Sequence, residues 1–149
     1  MAILDWLPTK DRLSRFGLAV DVACLVCGSD SESRDRLFAA CPFAMDVWNT
    51  VLSLCGTRCA ALTWDQRLSW MVGNLKGKTF RVRILKLAWT SFLYYIWEER
   101  NYRYFRGISS SSEVIVKRIK EAVKAKLYSL SLHRVDDGNR FLYINWELF

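Results

Sequence analysis

Apolar residues along this chain recur mostly at helical spacing, and capping residues mark the breaks between the runs. In "PFAMDVWNTVLSLCG" Phe43, Val47, Val51 and Leu54 follow one another at steps of four, four and three. Trp48 widens that stripe, and Pro42 suits the first helical turn. Thr63 caps the next run, "WDQRLSWMVGNL", with Trp64, Leu68 and Met71 or Val72 on one side. Gly73 and Gly77 bracket a loop, after which the pattern predicts one long helix from Thr79 to Phe105. Its stripe is Leu85, Ala88, Phe92, Ile96 and then Tyr102 or Tyr104, with Glu99 and Arg103 as a supporting i,i+4 pair. Such an aromatic stripe is core before it is ligand.

"ISSSSEVIVKRIKEAVKAKLYSLSL" carries the clearest local signal. Ser110 and Glu113 form a capping box, and Val116, Ile119, Val123, Leu127 and Leu130 make an apolar seam. Lys117, Arg118, Lys120, Lys124 and Lys126 cover the remaining circumference, giving a basic amphipathic helix. "HRVDDGNR" reads as a turn, and "FLYINWELF" as a last short helix or strand docked by Trp146.

The N-terminal part is less periodic. Met1 opens directly into an apolar stretch, which reads as a cut through a longer protein. Thr9 caps a short helix through Asp11 to Phe16, stopped by Gly17. Residues 18 to 31 read as an extended stretch and a turn, and Ser31 or Ser33 caps a short helix to Cys41. The expected fold is therefore mainly α, a helical domain with a small N-terminal cysteine knuckle, a degenerate zinc-finger-like loop. Residues 1 to 60 form the knuckle region and 61 to 149 a basic helical tail packed on it as one compact unit.

Composition supports a folded chain: 52% of its 149 residues are apolar, with seven Trp, six Tyr and eight Phe to fill a core. The longest apolar run, Ile84 to Trp97, is fourteen residues and contains Lys86. A membrane span needs about 20, so a buried helix is expected and no membrane partner. Five cysteines are an odd number with no secretory leader before them, which favours a reducing, intracellular setting, nucleus or cytoplasm, over a disulfide scaffold.

Charge is unevenly placed. Residues 1 to 75 hold seven basic and eight acidic side chains, whereas residues 76 to 149 hold fifteen basic and seven acidic ones. The whole excess of the +7 net charge lies in the second half. Lys76, Lys78, Arg81 and Arg83 lead into the long helix, and Arg100, Arg103 and Arg106 end it near Tyr102, Tyr104 and Phe105. Cations interleaved with aromatics can hold phosphate and stack bases, so RNA or DNA is the candidate partner. The plainer reading is that these rings pack the core and Arg103 pairs with Glu99.

In "CLVCGSDSESRDRLFAAC" the thiols of Cys24, Cys27 and Cys41 have the spacing of a zinc knuckle with one corner missing. A histidine at position 36 would complete C-x2-C-x8-H-x4-C; Arg36 stands there, and a guanidinium offers no lone pair. Two readings stay open. In the leading one the loop is degenerate and metal-free; in the other zinc is the cofactor, with Cys55, Cys59, His133 or water as fourth ligand.

The stretch from Leu7 to Trp48, with LPT-x-DRL, C-x2-C, Glu32, Arg34, Asp35, Leu37, Phe38 and then Cys41–Pro42, resembles the zinc-binding region that follows the reverse transcriptase of plant non-LTR (LINE-type) retrotransposons. "YYIWEERNYRYF" and Trp146 resemble, more loosely, the helical tail of those polyproteins. The resemblance implies ligands at Cys24, Cys27, position 36 and Cys41, and a parent that grips RNA or DNA template. No Y-x-D-D-like polymerase motif, carboxylate quartet or Gly-rich phosphate loop accompanies it, so no enzyme is expected. The alternative is a helical protein-interaction domain or folded remnant that binds neither zinc nor nucleic acid.

Overall fold

The computed structural model describes residues 7–17, 23–28, 31–60, 63–129 and 137–148. Helices account for most of them: α1 (Lys10–Arg15), a π-helical turn (Arg36–Ala40), α2 (Pro42–Leu54), α3 (Trp64–Asn74), α4 (Phe80–Phe105), α5 (Ser112–Tyr128) and α6 (Arg140–Asn145). Extended pairing among the described residues is limited to one antiparallel bridge between Ala23 and Ser31, which closes the loop carrying the first two thiols. The mainly helical expectation holds, and "FLYINWELF" resolves to a helix rather than a strand through Asn145.

Local chemistry fixes the ends. Thr63 and Gln66 form a capping box on α3, and Thr79 Oγ1 accepts the Val82 N–H on α4 at 3.3 Å. Pro42 opens α2, where its missing N–H costs nothing. The same helix closes through two bonds, Gly56 N–H to Ser53 and Thr57 N–H to Leu52 at 3.0 and 3.1 Å, with Gly56 at φ 68°. At the start of α5 the cap is Ser111, which accepts the Val114 N–H at 3.4 Å, not Ser110. The seam shifts with it: Ile115, Ile119, Val123 and Leu127 are buried and Val116 only partly, while Leu130 lies outside the described residues.

These faces meet in one apolar cluster that runs from Cys24 to Leu148. α4 lies against α2 and α5, α2 also touches α5 and the π turn, and α3 covers the π turn. Aromatics form its middle: Trp48 packs on Trp89 and Phe92, each at 5.1 Å between centroids, and Trp64 stacks on Trp89 at 5.9 Å. The stripe of α4 is therefore core, as its spacing suggests. Its last members differ from expectation, because Glu99 and Arg100 are buried below Ile96 while Tyr104 is exposed. Of Met71 and Val72, the alternatives for the inner face of α3, Met71 is buried and Val72 faces solvent, and Arg67 is buried as well. No helix among the described residues is long and apolar enough to cross a membrane.

Candidate metal centre

The knuckle is built from the turn at residues 25 to 27 and the chain that enters α2. Gly28 N–H bonds to Cys24 O at 2.7 Å, and Gly28 takes a φ of 72°, folding Cys27 back toward Cys24. The third thiol arrives by the π turn, closed by Cys41 N–H to Arg36 O at 2.6 Å, an i to i+5 bond. Ser33 Oγ accepts the Arg36 N–H and starts that turn, one of the two serines expected there. As a result the sulfurs of Cys24, Cys27 and Cys41 all lie within 4.8 Å of one another. Zinc–thiolate bonds of about 2.3 Å at tetrahedral angles space the sulfurs about 3.8 Å apart, so the three can share one ion after small movements.

Cys24 and Cys41 are buried, and Cys27 is half-buried. A hydrogen bond from the Cys41 thiol is the main influence on Cys24 and holds it down at about 5, aided by backbone N–H groups of the turn. That same bond, with burial, pushes Cys41 well above the ordinary thiol range. The shared hydrogen bond thus favours the charged form of Cys24, the form a metal ligand takes.

Between the thiols is a cavity of about 10 Å³ lined by Cys24, Cys27, Ser31, Arg36, Ala40, Cys41 and Pro42. It has room for one ion or one water. Three corners suit zinc; the fourth side is lined by Arg36, which cannot ligate. No fourth His, Cys, Asp or Glu joins the cluster among the described residues. Cys55 is sealed beside Trp146 and Cys59 lies beside Arg67, so neither supplies the missing ligand. His133 lies outside the described residues.

Residues 1–48 match the family model described as zinc-binding in reverse transcriptase. The matched segment contains all three thiols and ends at Trp48, so it leaves the helical tail from Asn49 onward uncovered. No curated protein and no solved structure matches the chain.

What holds the matched segment in place is a set of buried charges that periodicity does not reveal. Glu32, fully buried, accepts from Arg100 Nη2 at 2.8 Å and Nε at 3.2 Å, from the Lys10 backbone N–H at 2.9 Å and from Leu25 N–H at 3.4 Å. Arg100 also reaches Pro8 O at 3.4 Å. One turn further along α4, Arg103 donates to Glu99 Oε1 at 3.0 Å, as its spacing predicts, and to Val26 O at 2.5 Å, inside the thiol turn. Lys10 Nζ bonds Ala23 O at 2.8 Å beside it. Arg67, also buried, donates to Phe38 O at 2.8 Å within the π turn. Thus Arg100 and Arg103, candidates for phosphate contact, are engaged inside the fold. Lys76, Lys78, Arg81, Arg83 and Arg106 are exposed, with Arg81 reaching Gly56 O at 3.5 Å and Arg106 lying 5.0 Å over the Tyr102 ring.

Proposed function

We propose that the chain is a zinc-finger-like module of retrotransposon origin, of the plant LINE type, that grips RNA or DNA through phosphate and has no catalytic machinery of its own. The observation that carries it is the convergence of three thiols within the segment that matches the reverse-transcriptase zinc-binding family. The nucleic-acid part rests on the exposed cations. Lys76 and Lys78 in the loop before α4, with Arg81 and Arg83 in its first turn, are exposed cations in a basic stretch of sequence, Leu75 to Tyr95, that has no acidic residue. Such a stretch attracts phosphate without reading bases.

The aromatic contribution is narrower than the sequence suggests. Trp89 and Phe92 are in the core, which leaves Tyr94, Tyr104 and Phe105 exposed for stacking on the far part of α4. The withdrawal of Arg100 and Arg103 into the fold favours the second reading, a helical interaction domain that binds no nucleic acid.

Binding of a fluorescent single-stranded RNA and DNA to the full chain across a salt series separates them. For about four phosphate contacts, log K should fall with log salt at a slope near −3, by roughly 0.7 per contact. Replacing Lys76, Lys78 and Arg83 together with Gln should reduce the slope by about 2 at every sequence tested. An affinity unaffected by salt, or by the triple replacement, would remove the stretch from the account.

A further inference from the structure

We propose that Cys24, Cys27 and Cys41 form a three-coordinate thiolate site whose preferred occupant is a soft monovalent ion, copper(I), and not zinc. The inference rests on reading these thiols as a metal site, and is independent of whether the chain binds nucleic acid. Three observations carry it. The sulfurs are mutually within 4.8 Å, close to the separation of about 4 Å that a planar set of three thiolates takes around one ion at bond lengths of about 2.3 Å. The cavity beside them, about 10 Å³, has room for one small occupant. Arg36 also lines the cavity, and no described His, Cys, Asp or Glu offers a fourth ligand.

The missing fourth ligand weighs against zinc more than against copper(I). Zinc in a structural site takes four protein ligands, and here it would have to draw its fourth from solvent. Copper(I) is a soft ion that three thiolates satisfy without a fourth ligand. The replacement of a ligating imidazole by Arg36 therefore changes which ion fits instead of merely emptying the site.

The experiment uses the full chain, reduced and metal-free under anaerobic conditions. Copper(I) is titrated against the chromophoric chelator bicinchoninate and zinc against a chromophoric zinc indicator. Because thiolates generally hold copper(I) tightly, the informative readout is the response to Arg36→His. The expected result is one copper(I) per native chain, with zinc affinity rising at least about 100-fold in Arg36→His and copper(I) affinity changing less than about tenfold. Copper-edge X-ray absorption on the native chain should then show three sulfur neighbours and no nitrogen or oxygen, a readout that needs no cysteine variant to fold. Equal zinc affinity in the native chain and Arg36→His would overturn the preference while leaving a metal site. A two-sulfur copper environment would overturn the three-coordinate geometry, and failure of both ions to bind would overturn the metal reading itself.

Discussion

Glu32 has its carboxylate fully out of water, and its stability depends on donors that come from three distant parts of the chain. Desolvating both members of an ion pair is expensive, and the Coulomb attraction repays it only when the remaining lone pairs are also satisfied, as the Lys10 and Leu25 N–H groups do here. Removing one partner is costlier than removing both. Glu32→Gln should lose about 3–5 kcal/mol in urea unfolding because Arg100 keeps a buried, unpaired charge, while a Glu32→Met, Arg100→Met double variant should lose less. A double variant worse than the single one would show that the pair is a net contributor rather than a mutual compensation. A second residue-scale prediction concerns Cys55. Burial raises its thiol to about 12, against smaller lowering influences of Trp146 and Arg81. Below about pH 9 both folded and unfolded chains keep that proton; from there to about 12 only the unfolded chain loses it, so stability falls as pH rises through that window. At pH 8 a thiol reagent should label Cys55 only after denaturant is added, and rapid labelling of the native chain would contradict the burial.

At the scale of elements, the helix ends respond to backbone chemistry that sequence displays well. Thr9, Thr63 and Thr79 stand at the N-caps where their spacing puts them, and Pro42 and Gly17 where a start and a stop are needed. Gly56 adds a stricter case: at φ 68° a Cβ there would also lie 2.9 Å from Phe141 Cε2. Gly56→Ala should cost more than about 1 kcal/mol in thermal or urea unfolding, from the left-handed backbone and displacement of the Phe141 ring together. A neutral effect would mean that the closing turn of α2 relaxes freely. The faces were less legible than the ends. The cap of α5 is Ser111 and not Ser110, and its seam opens on Ile115 and not Val116, although Ile119, Val123 and Leu127 stand where periodicity puts them. Arg67, Glu99 and Arg100 occupy inward positions that hydrophobic patterning assigns to apolar groups. Their partners, Phe38 O for Arg67 and Glu32 for Arg100, are 29 and 68 residues away, a separation invisible to local spacing.

For the molecule as a whole, the candidate metal site and the helical body are joined by contacts that do not involve an ion. Arg100 holds Glu32, Arg103 holds the Val26 carbonyl between the first two thiols, and Arg67 holds the Phe38 carbonyl just before the third. The thiol spacing C-x2-C and the later Cys41 were readable in the sequence, as was the non-ligating residue at position 36. The scaffold that keeps those thiols together was not, because it is made of charged residues that sequence reading places on the surface. Small zinc modules commonly unfold when the ion is removed, since binding energy is their folding energy. Here the core from Cys24 to Leu148 and its buried ion pair supply the framework instead. The most direct test is a thermal melt of the reduced full chain, followed by circular dichroism at 222 nm, with a strong chelator and with added zinc. The account predicts a cooperative helical transition in both, with midpoints within about 3 °C of each other. Loss of the helical signal on chelation alone would contradict it, and would make the metal, not Glu32 and its arginine, the element that holds the knuckle to the fold.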